Sequence, residues 1–442
     1  MKALRNPIRL IPLLFIGAIA LGTAVLCLPI ATADGTPAPF LTAVFTATSA
    51  VAVTGLIVAD TPTFWSPLGQ AAIMIMFQIG GLGIMTAATL FGLMAGRGFG
   101  LRDRMATQVE RSRLNLLSAS SVIKMILTIT VVVEMAVAIM LTLRFATRWD
   151  MALGQAAWHG LFHSVSAFNN AGFSTFSDSL MRFHGDWLIL TPIALSVVIS
   201  ALGFPVMEDW REHGWRWRQW TLHSKMTVAG TLILLACGFV AFAAMEWTNP
   251  DTLGPMSVGD RLLNAAFHSV MPRTAGFNSL DLGAVREQTL MLNYVLMFIG
   301  GGSAGTAGGI KITTFMVLLA IVLAEVLTRR DAGMFGRRFG HSIERQALTV
   351  ASLALLLVLS ATVFITSVTP LPLQDVLFET ISAFSTVGLS TGITADLPPS
   401  ALIVLILLMF IGRVGTITFA TALAITAAER TYRYPEENPI VG

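Results

Sequence analysis

Four glycines, Gly55, Gly172, Gly276 and Gly388, sit in one recurring frame. The fullest copy reads Phe378-Glu379-Thr380-Ile381-Ser382-Ala383-Phe384-Ser385-Thr386-Val387-Gly388-Leu389. Phe45 to Leu56 and Phe162 to Phe173 repeat it in register, with a Phe ten positions and a Ser six positions before the glycine. Phe267 to Phe277 is a copy one residue shorter. Each copy is a short apolar segment that runs into small polar residues and then glycine. The chemistry this pattern can perform is the replacement of an ion's water shell by backbone carbonyls, which requires several carbonyls at one height. Glycine reaches the backbone angles that such a loop needs without steric cost. The candidate ligand triplets are Val53, Thr54 and Gly55; Asn170, Ala171 and Gly172; Thr274, Ala275 and Gly276; and Thr386, Val387 and Gly388. Thr54, Asn170, Thr274 and Thr386 add side-chain oxygens expected to brace the loops. A short helix ending at membrane depth also turns its negative end toward a cation.

Two further groups stand out. The run Gly301-Gly302-Ser303-Ala304-Gly305-Thr306-Ala307-Gly308-Gly309-Ile310-Lys311 lies inside an apolar stretch, Leu290 to Leu327. At about 1.5 Å per residue that stretch is too long for one straight span, and its small residues weaken a helix. A broken helix with a loop just beneath the four glycines is expected, with Lys311 at the loop's inner end. A phosphate loop does not fit, because Ile310 and Ile312 stand where Gly and Ser or Thr are required. Arg413 falls in the middle of the last apolar stretch, where a charge costs at least a few kcal/mol in lipid, so it is expected to face the cavity as a positive barrier. Glu134 is a second charge within a span; a nearby basic group is its expected partner.

These groups need a membrane scaffold. The chain has 442 residues, of which 55% are hydrophobic and 12% charged, with mean hydropathy +0.74; a soluble chain carries about 25% charged residues. Alternating ten-residue segments of a strand barrel do not occur. The expected fold is an all-α integral membrane protein with eight transmembrane helices, in four helix–pore helix–helix units of pseudo-four-fold symmetry around one ion path. The units are residues 1–96, 97–210, 211–330 with the broken inner helix, and 331–442 with a tail. Spans are expected near Leu10–Ile30, Leu68–Met94, Val122–Leu143, Trp187–Val206, Met226–Met245, Leu290–Leu327, Ala347–Val368 and Ala401–Ala428. The short helices between them are expected at Phe40–Ala52, Met151–Phe168, Arg261–Met271 and Leu373–Phe384. The first span reads as a span and not a cleaved leader, although Ala31-Thr32-Ala33 follows it. A second repeat, Ile79-Gly80-Gly81-Leu82-Gly83, Ile299-Gly300-Gly301-Gly302 and Ile411-Gly412-Arg413-Val414-Gly415, gives the inner spans a small face, for close approach or for ion passage.

The net charge of +3 reflects basic cytoplasmic loops and not a nucleic-acid surface. Those loops carry Arg97, Arg102, Arg104, Arg111 and Arg113, then Arg211, Arg216, Arg218 and Lys225, then Arg329, Arg330, Arg337, Arg338 and Arg345. Both termini therefore lie in the cytoplasm, in a multi-pass protein of the cell's inner (plasma) membrane. Asp60, Asp178, Asp281 and Asp396 follow the four glycines and are expected at an outer mouth that gathers cations. Cys27 and Cys237 lie in apolar spans and suggest neither a disulfide nor a metal pair.

The chain resembles the membrane subunit of the Ktr/Trk/HKT superfamily of potassium transporters, and most of all the shorter Ktr type. The motifs are Ala167-Phe168-Asn169-Asn170-Ala171-Gly172-Phe173, Arg273-Thr274-Ala275-Gly276-Phe277, Ser385-Thr386-Val387-Gly388-Leu389 and Gly301 to Lys311, and the resemblance covers nearly the whole chain. It implies potassium uptake with K+ held at Gly55, Gly172, Gly276 and Gly388, no organic cofactor, and sodium-dependent transport. It also implies a gate at Gly301–Gly309 with Lys311 and Arg413, a homodimer embedded in membrane lipid, and a cytosolic nucleotide-binding ring that contacts the basic loops and the tail Glu429–Gly442. The alternatives are a proton-linked Trk-type transporter, a transporter of another solute, or a membrane-embedded enzyme built on His163 and His268. Those histidines occupy matching repeat positions, with Thr46 and Glu379 in the other copies, which argues for helix-start roles.

Overall fold

The computed structural model describes residues 7–95, 119–273 and 275–415. The first basic loop, Thr274 and the tail fall outside the described residues. The chain is mostly helical, and the described strands form only a two-residue ribbon pairing Gly333–Met334 with Arg337–Arg338.

In order, α1 (Pro7–Leu26), the short α2 (Phe40–Val51) and α3 (Pro67–Ala95) pack on one another. The same holds for α4 (Ala119–Arg148), the short α5 (Leu153–Asn169) and α6 (Trp187–Leu202). Next come α7 (Phe204–His213), α8 (Leu222–Glu246), the short α9 (Val258–Val270), α10 (Glu287–Phe298) and α11 (Ile312–Val326), where α8 packs on α9, α10 and α11. Finally α12 (His341–Val368), the short α13 (Leu373–Phe384) and α14 (Pro399–Val414) pack mutually. The groups close on themselves through α3 on α5, α6 on α9, α10 on α13 and α14 on α2.

The repeated phenylalanines explain the short helices. Phe45, Phe162, Phe267 and Phe378 are all buried in the core, where each removes a large apolar area from water. The long helices do the opposite on their outer faces. On α4, Val131, Val132 and Ile139 are more than half exposed, as are Leu355, Leu356 and Val363 on α12. Apolar faces of that extent call for lipid. Val122–Arg148, Leu222–Glu246 and His341–Val368 are each long and apolar enough to cross a bilayer.

Two spans differ from a straight rod. The expected span Trp187–Val206 stops at Leu202, and α7 leaves at 90°. Gly203 at φ 83° and the proline that follows in the first turn of α7 impose the corner. Between Phe298 and Ile312 the chain is not helical.

The small faces of α3 and α14 serve close approach. A methyl group on Gly80 would lie 2.0 Å from the Val51 carbonyl oxygen, and one on Gly412 would lie 1.7 Å from that of Phe384. Both inner helices thereby press against the ends of short helices. Gly412→Ala is expected to lower stability by roughly 3 kcal/mol, read from thermal unfolding in detergent. Gly17→Ala on α1, with nothing within 4 Å, should not lower it.

Candidate functional site

The three full-length short helices end alike. After α2, α5 and α13 the chain turns left-handed at Val53 (φ 57°), Asn170 (φ 60°) and Thr386 (φ 49°), two residues before each glycine. Gly55, Gly172, Gly276 and Gly388 themselves have φ of 94°, 71°, 67° and 89°. The residue between donates its N–H back to the helix: Thr54 to Ser49 O (2.7 Å), Ala171 to Ser166 O (2.7 Å) and Val387 to Ser382 O (2.9 Å). With the N–H groups engaged on the helix side, the carbonyls are left for the other side.

Those carbonyls meet the next loop. A methyl group on Gly55 would lie 2.4 Å from Ala171 O, one on Gly172 would lie 2.8 Å from Ala275 O, one on Gly276 would lie 2.5 Å from Val387 O, and one on Gly388 would lie 2.0 Å from Thr54 O. The series closes after four steps. Each glycine packs against the carbonyl that precedes the next glycine, so the loops form a ring with Gly172 opposite Gly388. All four glycines line one open cavity of about 400 Å³.

The acids expected at this mouth are only partly there. Asp60 and Asp178 line the cavity, whereas Asp281 and Asp396 do not. Asp178 is paired with Arg182 at 2.7 Å, and Asp60 accepts from Ser177 Oγ at 2.7 Å. Asp281 instead accepts the Gly283 N–H within its own turn.

The braces also differ from expectation. Thr54 Oγ1 and Thr386 Oγ1 have no hydrogen-bond partner among the described residues, while Asn170 Oδ1 accepts from Ser200 Oγ at 2.9 Å. Thr274 lies outside the described residues. The repeated serines do the bracing. Ser49 Oγ accepts the Gly55 N–H (3.0 Å), Ser382 Oγ accepts the Gly388 N–H (3.1 Å), and Ser166 Oγ donates to Phe173 O (2.8 Å). Their signal was the recurring Ser six positions before glycine. The shorter third copy replaces this arrangement with a 3-10 turn, Met271–Arg273, and Ala275 donates to Met271 O at 3.0 Å.

His163 and His268 lie in the later turns of α5 and α9, not at helix starts. His163 Nδ1 donates to His159 O, so its Nε2 accepts from Ser174 Oγ at 2.9 Å. His268 Nε2 meets Asn293 Oδ1 at 2.9 Å. Glu379 accepts from Ser390 Oγ and, at 2.9 Å, from Thr394 Oγ1. No cluster of His, Cys, Asp or Glu suited to a metal occurs among the described residues.

The interrupted segment 299–311 lies against the ring and is densely packed. Its ends are tied by Gly300 N–H to Ile310 O (2.9 Å), and Gly302 N–H reaches Ala201 O at the end of α6 (2.8 Å). Methyl groups on Gly302 and Gly308 would fall 2.4 Å from Leu202 O and 1.9 Å from Thr386 Oγ1, so small residues here admit close packing. Three cations, the partly buried Lys311 and the buried Arg413 and Arg273, bind its carbonyls: Lys311 Nζ donates to Ala307 O, Arg413 Nη1 to Thr306 O, and Arg273 Nη2 to Gly300 O at 3.4 Å. Arg413 Nη2 also reaches Gly80 O at 3.2 Å. Arg413 is only 4% exposed and therefore grips the segment. Arg273 was given no role from the sequence, although the Met-Pro-Arg stretch that departs from the frame in the shortened third copy marked it. Glu134 has amide partners: Gln78 Nε2 and Asn169 Nδ2 donate to it at 3.3 Å each. No basic group joins it among the described residues, because the side chains that reach it come from α3 and the end of α5.

A family model described as a cation transport protein, TrkH, matches residues 19–432. The chain is 38% identical over 437 residues to the Ktr system potassium uptake protein B of Bacillus subtilis, covering 99% of this chain and 97% of that one. It is 37% identical to the potassium/sodium uptake protein NtpJ of Enterococcus hirae, over 99% and 97% of the two chains. The fold matches the crystal structure of the potassium transporter TrkH from Vibrio parahaemolyticus with a TM-score of 0.75, over 96% of this chain and 85% of that one, at 19% identity. With a family match spanning nearly the whole length, the chain belongs to the TrkH/Ktr family of cation transport proteins.

Proposed function

We propose that this protein takes up potassium across the cell membrane along a path through the four-loop ring. The observation that carries the reading is the closed series in which Gly55, Gly172, Gly276 and Gly388 each abut the carbonyl of the neighbouring loop. Thr54, Ala171, Ala275 and Val387 thus offer four peptide oxygens at one level, the chemistry that replaces a cation's hydration shell. The mutual packing of the helix groups, and their closure of α14 onto α2, favours four pseudo-symmetric units with eight spans. Irregular backbone at that depth is tolerated where it is buried or lines a wet path.

The segment 299–311 is the proposed gate, braced from within by Lys311 and held shut by Arg413 and Arg273. Its contact with the end of α6 and with Gly203, the corner from which α7 leaves toward the basic connection, gives a cytosolic ring a lever on it. Homodimerisation and a plasma-membrane setting are favoured by the Ktr-like family and by the exposed apolar faces, and cytoplasmic termini by the basic loops. Sodium dependence is favoured by the name of the NtpJ relative. A family of transporters is not one of enzymes, and His163 and His268 have the structural partners described above.

Purified protein in liposomes is expected to take up K+ in preference to Na+, with external Na+ raising the rate. Equal uptake of the two ions, or none of either, would overturn the proposal.

A further inference from the structure

The outer arms of the loops are not held alike. In the second loop, Ser174 stands two residues after Gly172; its Oγ accepts the Phe176 N–H at 3.0 Å and meets His163 Nε2 at 2.9 Å. A longer contact, 3.4 Å, runs from the same hydroxyl to Ser179 O. In the fourth loop, Ser390 stands two residues after Gly388; its Oγ accepts the Gly392 N–H at 2.8 Å and donates to Glu379. His163 and Glu379 each stand nine residues before their glycine, and they are 0% and 1% exposed. The same knot therefore ties the outgoing arm to the short helix in both loops.

The other two loops lack it. Ile57 follows Gly55 by two residues and has no hydroxyl, and Thr46 Oγ1, at the matching helix position, has no partner among the described residues. In the third loop His268 turns to Asn293 on α10, while Asn278, two residues after Gly276, bonds Leu280 O. The ring order places the two knotted loops opposite each other. On the other diagonal the outgoing arms are not tied to their own short helices but to the second loop's arm, Asp60 to Ser177 Oγ at 2.7 Å and Asn278 O to the Leu180 N–H at 3.0 Å.

We propose that His163–Ser174 and Glu379–Ser390 are specificity-determining braces: they fix one diagonal of the carbonyl ring and so set its width for potassium over sodium. This rests on the transport reading above. A smaller ion demands that the oxygens move inward, and two opposite arms fastened at both ends resist that. His163 and Glu379 act through the serines and do not touch the ion; they are positioning residues.

The test compares wild type with the Ser174→Ala/Ser390→Ala and Ser174→Thr/Ser390→Thr double variants, reconstituted in liposomes and assayed for initial K+ uptake against rising Na+. The alanine pair is expected to lose about tenfold in preference for K+ over Na+, the size of one or two hydrogen bonds, with little change in the maximal K+ rate. The threonine pair keeps both hydroxyls and should recover the preference, and Thr46→Val should leave it unchanged. A wild-type preference in the alanine pair, or an equal loss in Thr46→Val, overturns the braces alone. If the alanine pair cannot be prepared as monodisperse protein, Glu379→Gln and Glu379→Leu take its place. The amide oxygen of Gln keeps one hydroxyl bond, so Leu should lose more preference; equal ratios in wild type, Gln and Leu overturn the proposal. A wild type that moves no K+ overturns the transport reading, and the braces with it.

Discussion

Gly388→Ala is expected to lower potassium uptake at least about 100-fold. The new methyl group would stand 2.0 Å from the Thr54 carbonyl oxygen and 2.9 Å from Gly55 Cα. Both are backbone atoms, so no side chain can swing away. The residue would also have to hold φ 89°, which an L-residue adopts only under strain of about 1–3 kcal/mol, and overpacking adds about 1–3 kcal/mol. Together these come to about 2–6 kcal/mol, and the middle of that range exceeds the roughly 2.7 kcal/mol that corresponds to 100-fold. The only relief is to push Thr54 outward, which opens the ring at one of its four oxygens. Gly172→Ala meets its nearest carbonyl at 2.8 Å and should lose only about tenfold under the same reasoning. The check is the order of the two variants in K+ uptake by liposomes, with size-exclusion profiles to establish that both fold. A Gly388→Ala protein more active than Gly172→Ala would contradict the ring as the ion's path.

Much of this arrangement could be read from residue types, because it rests on local backbone demands. Phe ten and Ser six positions before glycine recur since each short helix needs a core anchor and a cap for its loop. The interruption before Ile312 was visible as a run of small residues too long for a straight span. What could not be read depends on partners distant in sequence. Nothing in Glu134 itself says that Gln78 and Asn169 will meet it from other helices. His163 and Glu379 look like unrelated residues until the outgoing arm folds back and brings Ser174 and Ser390 to them. The corner at Gly203 was hidden by an apolar run that continues through Phe204, Pro205 and Val206. The four acids looked equivalent because they recur at similar distances from glycine, but the segments that carry them fold differently, and only Asp60 and Asp178 reach the mouth. In the third copy, the shift by one residue displaced Ser269 from the bracing position, and its hydroxyl bonds Ala266 O within the helix instead.

Arg413→Ala is expected to raise potassium flux about tenfold in the protein without any cytosolic partner, leaving the K+/Na+ ratio unchanged. Arg413 spans from α14 to the Thr306 carbonyl of the proposed gate and to Gly80 O on α3. It is the contact that joins the middle of segment 299–311 to the two inner helices beside it. A hydrogen bond from a charged donor to a buried carbonyl contributes roughly 1.5–3 kcal/mol. Its loss shifts a closed–open equilibrium by roughly ten- to 100-fold, and Arg273 and the Gly302–Ala201 bond still hold the segment. Arg413→Lys should fall between, because a single ammonium on a shorter stem cannot serve both carbonyls in the guanidinium's fork geometry. The folded protein should not suffer in proportion: the cation removed has no acid paired with it among the described residues, so its burial was itself costly. Flux and melting temperature therefore separate, with flux rising while the melting temperature holds. Reduced flux in Arg413→Ala would mean that the guanidinium keeps the path open, and the gate would then have to be held by Arg273 and the α6 carbonyls.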